Sequence, residues 1–90
     1  MPHFVYILQS LLNGRYYIGS CADINQRLAK HNAGATTSTR PYRPWTVVYE
    51  ESFSDKSQAL KREKYIKQMK SRKYIVDLIK NLGNDSACFN

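Results

Sequence analysis

The feature that most constrains this chain is a pair of short apolar stretches, Phe4-Val-Tyr-Ile-Leu8 and Arg15-Tyr-Tyr-Ile-Gly19, with Asn13-Gly14 between them. β-Branched and aromatic residues suit a pleated, half-buried surface, and Asn-Gly between two such runs signals a turn, so the stretches read as the arms of a β-hairpin. Alternation along a strand puts Phe4, Tyr6 and Leu8 on one face and Val5 and Ile7 on the other. The register depends on the loop. With a loop from Leu11 to Gly14, Ser10 pairs with Arg15, Leu8 with Tyr17 and Tyr6 with Gly19, and the two phenols become diagonal neighbours on one face. A two-residue turn at Asn13-Gly14 would slide the strands by two residues and part them.

Ninety residues suit one domain with a modest core, expected over 1–83, with 84–90 as a disordered tail. No apolar run reaches the ~20 residues of a membrane span, and the first residues lack the pattern of a signal peptide, so a cytoplasmic protein is expected. Cys21 and Cys88 are far apart and outside metal-ligand spacing, which implies free thiols. Charge is more informative: fourteen Lys and Arg against seven Asp and Glu leave +7, and eight of the fourteen lie between Lys56 and Lys73, where Glu63 is the only acid. That balance points to a polyanionic partner, nucleic acid before a membrane surface or an acidic protein. A weak homodimer stays open.

Farther along, Asp23 is a good N-cap for a helix carrying Ile24, Leu28 and His31, expected to run to about Asn32 and stop at Gly34. Arg27 and His31 are four residues apart and share a stripe. Residues 35–44 contain two prolines and no periodicity, and read as a hydroxyl-rich loop. Trp45 to Phe53 reads as a third strand, expected beside the first. Ser54 or Asp55 then caps a helix through Ala59, Leu60, Ile66 and Met69, with Lys56, Lys61, Arg62, Lys64 and Gln68 on its polar face. Ser71 caps a last helix carrying Ile75, Leu78, Ile79 and Leu82 and ending at Gly83. The fold class is therefore α+β, a three-stranded antiparallel sheet flanked by helices in the order β-β-α-β-α-α. The site is expected in a shallow groove on the sheet face lined by the first two helices.

Glu63 falls on the inward stripe of its helix, where a carboxylate needs a cation, a metal or an open cleft. Phosphodiester hydrolysis requires an activated water and positive charge on the phosphate oxygens. Arg27 offers a planar fork suited to phosphate, and Glu63 could hold Mg²⁺, which commonly takes one or two protein carboxylates. An Arg27–Glu63 ion pair with a purely structural role is the competing reading. Arg40, Arg43, Lys61, Lys64 and Lys67 are the candidate backbone contacts.

Val5-Tyr6-Ile7 and Tyr17-Ile18-Gly19 resemble the two halves of the GIY-YIG nuclease signature, and the Arg27 and Glu63 that follow fit the same pattern. The chain looks most like small stand-alone bacterial domains related to the N-terminal nuclease domain of the excinuclease of DNA repair. The resemblance implies a Mg²⁺-dependent endonuclease, with Mn²⁺ able to substitute, acting on DNA or RNA with low sequence specificity. It gives Tyr6 the role of general base or water-positioning group, Tyr17 a contact to the scissile phosphate, Arg27 that of electrostatic clamp and Glu63 that of metal ligand. His31 takes the place of a residue that hydrogen-bonds the catalytic tyrosine and could itself accept the proton. Nearby positive charge is expected to lower the Tyr6 pKa. The alternative is a nucleic-acid-binding module on the same fold without turnover.

Overall fold

The loop between the first two strands turns on a buried serine. The structure, a computed structural model, describes residues 2–82. In it Ser10 Oγ accepts from the N–H groups of Leu12 (3.1 Å) and Asn13 (3.2 Å) and donates to the Tyr42 carbonyl (2.6 Å), while Gly14 N–H donates to Ser10 O at 3.0 Å. This fixes the four-residue loop. Strand β1 (His3–Ser10) therefore pairs antiparallel with β2 (Tyr16–Cys21) in the expected register, Leu8 opposite Tyr17 and Tyr6 opposite Gly19. Strand β3 (Trp45–Phe53) pairs antiparallel with the other edge of β1, with a bulge between Ile7 and Leu8, giving the order β2-β1-β3.

Helix α1 (Ile24–Ala33) begins where Asp23 accepts from Gln26 N–H at 3.0 Å. It ends at Gly34, whose φ of 85° is left-handed and favours glycine. Asn32 clamps the start of β3, accepting from Trp45 N–H at 2.6 Å and donating to Trp45 O at 3.1 Å. Helix α2 (Lys56–Met69) is capped by Asp55, and α3 (Arg72–Leu82) by Ser71 Oγ, which accepts from Tyr74 N–H at 3.1 Å. Gly83 as a helix stop, the tail at 84–90 and the Cys88 thiol lie outside the described residues, as does the side chain of Leu82.

Alternation on β1 divides the interior in two. Tyr6 and Leu8 pack with Cys21, Trp45 and the α1 residues Ile24 and Leu28. Val5, from the opposite face, packs with Ala59 and Ile66 of α2 and with Ile75 and Leu78 of α3. Helices α1 and α2 thus cover opposite faces of the sheet, and the groove expected between them on one face does not form. Helix α2 also faces differently from its expected stripe. Leu60 and Met69 are exposed, whereas Arg62 turns inward to Glu51 of β3, with Nε 3.0 Å from Oε1, and to the Tyr74 hydroxyl at 3.3 Å. Among the described residues no helix is long and apolar enough to cross a membrane.

Candidate functional site

Tyr6 rises from the central strand and crosses toward the edge strand. An ideal Cβ at position 19 would lie 2.5 Å from the Tyr6 hydroxyl oxygen and 2.7 Å from Cζ, so the phenol can occupy that place only above a glycine. The Tyr17 ring centroid lies 6.4 Å from that of Tyr6 and 4.8 Å from that of His31. His31 is delivered by the last turn of α1 and is buried. The hydroxyl-rich loop after Gly34 folds back over it.

The hydrogen bonds of this cluster have a direction. Thr39 Oγ1 donates to Thr36 O at 3.4 Å and lies 2.9 Å from His31 Nδ1. We assign the one hydroxyl proton of Thr39 to that carbonyl, which makes its oxygen the acceptor of Nδ1–H. That leaves Nε2 with its lone pair toward the Tyr6 hydroxyl, 3.4 Å away. Burial, reinforced by the Arg27 charge, holds the imidazole below its ordinary pKa of 6.5, so it is neutral at neutral pH. Arg27, on the exposed side of α1, also acts on the Tyr6 hydroxyl through its charge.

Burial pushes the Tyr6 phenol well above its ordinary value of 10, Tyr17 adds to the rise, and the opposing pull of Arg27 does not offset it. The expected lowering by positive charge is therefore outweighed by desolvation, and the free protein keeps the phenol protonated.

Glu63 reaches the same strand from the other side. Its side chain is 17% exposed; Oε1 accepts from Ser20 Oγ at 2.7 Å and Oε2 from Lys67 Nζ at 2.7 Å. The purely structural Arg27–Glu63 pair does not form, since among the described residues the three ion pairs are Arg62–Glu51, Lys67–Glu63 and Lys73–Asp77. Ser20 directly follows Gly19, so the Tyr6 phenol and the Glu63 carboxylate approach adjacent residues of β2 from opposite faces. Tyr6, Tyr17, Arg27 and His31 form one cluster, and Glu63 faces it across the sheet edge.

The five basic candidates do not share one surface. Arg40 and Arg43 sit on the α1 side, their Nε atoms donating to Gly34 O at 2.8 Å and Arg40 O at 3.0 Å. Lys61, Lys64 and Lys67 are exposed on α2, on the opposite side. Sequence reasoning missed Thr39. The signal was a run of hydroxyls within eight residues of a histidine that, once buried, needs a partner on each ring nitrogen.

Residues 2–75 match the family model of the GIY-YIG catalytic domain. The chain belongs to the GIY-YIG family. Over 68 residues it is 43% identical to a UPF0213 protein of Halobacterium salinarum, covering 74% of this chain and 87% of that one. Over 66 residues it is 46% identical to a UPF0213 protein of Staphylococcus epidermidis, covering 72% and 79% respectively. Its fold is similar to the solution NMR structure of a UPF0213 protein from Bacillus halodurans, with a TM-score of 0.57 and 32% identity over 89% of this chain and 84% of that one. This GIY-YIG chain thus has a nuclease-like domain of the UPF0213 type, in a three-stranded antiparallel sheet flanked by three helices.

Proposed function

We propose that this GIY-YIG domain is a divalent-metal-dependent endonuclease that hydrolyses phosphodiester bonds in DNA, and in RNA where its backbone fits, with little sequence preference. The observation that carries this reading is the 3.4 Å approach of the Tyr6 hydroxyl to a buried, neutral His31, with the Arg27 charge acting on the same hydroxyl. A buried phenol is a poor base alone. It can take a proton from water only if it passes its own onward, and His31 Nε2 is oriented to receive it. In this step a water O–H bond breaks toward Tyr6 Oη as the phenolic proton moves to Nε2. The hydroxide forms a bond to phosphorus, the bond from phosphorus to the leaving oxygen breaks, and that oxygen takes a proton from solvent. Arg27 offsets charge on the phosphate oxygens, and Tyr17 donates to them.

The donor set at Glu63 suits a magnesium ion that brings water and substrate oxygens with it: one hard carboxylate, with Oε2 held only by a surface lysine that an ion would displace. Among the described residues there is no group of three or more His, Cys, Asp or Glu that could hold a metal alone. When bound, Mg²⁺ would supply Lewis-acid stabilisation of the phosphate and leaving oxygen.

The test is nicking of supercoiled plasmid in Mg²⁺ or Mn²⁺ by the wild type beside Glu63→Gln, Tyr6→Phe and His31→Ala. Each substitution is expected to reduce nicking by roughly 100-fold or more, in line with the usual worth of a positioned acid–base or electrostatic group. Wild-type protein that binds DNA but nicks no more than Glu63→Gln in either metal would overturn the enzyme and leave a binding module.

A further inference from the structure

Two arginines that the chemistry above leaves unused meet at the hairpin end of β2: Arg15, just before the strand, and Arg72, the first residue of α3. The Arg15 guanidinium carbon lies 4.3 Å from the centroid of the Tyr42 ring, and that of Arg72 lies 4.7 Å from the centroid of Tyr16. Both arginines are exposed. Tyr42 packs with the α1-side core, whereas Tyr16 alternates with Tyr17 and faces the α3 side, so the two stacks flank the start of the edge strand. Neither arginine takes part in an ion pair among the described residues. Arg72 Nη2 donates to Gly14 O at 3.4 Å, which ties the start of α3 to the hairpin loop.

A guanidinium stacked on a ring keeps its N–H edge open while the ring restricts its rotamers, so less freedom is lost when it meets a phosphate. Tyr16, Lys67, Lys70 and Arg72 help to line a shallow cavity of about 360 Å³ that has no acidic residue in its lining. Lys70 closes α2 in the left-handed conformation, with φ 46°, which fixes that corner of the cavity. Arg15 borders the same cavity while its guanidinium stacks on Tyr42, and it precedes Tyr17 by two residues, roughly 6.6 Å by the rise of a strand, which is on the scale of successive phosphates along one nucleic-acid strand.

We propose that Arg15 and Arg72 form a phosphate clamp astride the start of β2, holding the nucleic-acid backbone where it turns round the sheet edge between the tyrosine cluster and Glu63. The nuclease reading gives the clamp its purpose, but its grip on phosphate does not require turnover.

The experiment measures binding of the full chain carrying Glu63→Gln to a short DNA duplex by fluorescence anisotropy across a salt series. Arg15→Ala and Arg72→Ala are each expected to weaken binding and to reduce the slope of log K against log salt by about 0.9, with about twice that for the double variant. Lys56→Ala, at the far end of α2, removes the same charge and should leave the slope unchanged. Arg15→Lys and Arg72→Lys should restore the slope without the full affinity, because lysine keeps the charge and loses the stacked fork. Slopes unchanged in both alanine variants, or lowered equally by Lys56→Ala, would overturn the clamp even if the wild type nicks plasmid. Reduced slopes in a protein that never nicks would uphold the clamp and overturn the nuclease.

Discussion

At position 19 a hydrogen stands where a Cβ would lie 2.5 Å from the Tyr6 hydroxyl oxygen. Gly19→Ala must therefore displace the phenol or the edge strand, an overpacking that costs about 1–3 kcal/mol, read as a lower urea midpoint with an unchanged slope. The same variant should also lose nicking, since the Tyr6–His31 bond moves with the ring. His31 sets a pH dependence of its own. The unfolded chain protonates its histidine with a pKa near 6.5, and the folded one does so only at lower pH because burial and Arg27 oppose the charge. Between those values the unfolded state holds more protons, so stability is full above about pH 6.5 and falls on acidification by at most about 1.4 kcal/mol per unit. Urea midpoints at about pH 7.5 and about pH 5 should show this loss, and His31→Gln should lack that component of it.

Among the elements, the hairpin was the most legible, because turn residues at a set distance from alternating apolar residues admit few registers, and a wrong one would expose the tyrosine face. Helix limits at Asp23, Gly34 and Ser71 were legible, and that of α2 was narrowed to Ser54 or Asp55, because caps are local chemistry. The facing of α2 was not. Its lysines interrupt the apolar pattern, so Leu60 was as good a core candidate as Ile66, and nothing local announces that Arg62 finds a carboxylate on β3. The placement of α1 and α2 on opposite faces depends on long connections, which carry no face label, so Glu63 could be read as inward but not assigned to a side. Register paired Tyr6 with Tyr17 and helical spacing paired Arg27 with His31, while the meeting of the two pairs followed only from the family resemblance, and the Thr39 contact depends on a loop path with no periodicity. The Glu51–Arg62 tie gives this element its own test. Glu51 accepts from Arg62 and from the Tyr49 hydroxyl, whose pKa burial and then Glu51 push up to about 12. Glu51→Ala strips both donors of their acceptor in a largely buried place, so a loss of about 1–3 kcal/mol is expected by thermal or urea unfolding. A change below about 0.5 kcal/mol would mean solvent satisfies Arg62.

For the whole molecule, β1 matters most because both cores are built on it. Its side chains alternate between Tyr6 and Leu8 on one side and Val5 on the other, and it is hydrogen-bonded to both other strands. Neither core is large enough to persist without the strand, so loss of one should dissolve the other in a single transition. The chain has one tryptophan, and Trp45 is 4% exposed in the α1-side core, so its fluorescence reports that core alone. Ile66, 1% exposed, belongs to the other. Ile66→Ala should cost about 2–5 kcal/mol, and its urea midpoint should fall equally whether followed by Trp45 fluorescence or by far-ultraviolet circular dichroism. If the fluorescence midpoint stayed at the wild-type value while the dichroism midpoint fell, the cores would be separable. The Tyr6–His31 cluster would then be held independently of the helix that carries Glu63, and damage on the α2 side would reach the chemistry only through Ser20 and the edge of β2.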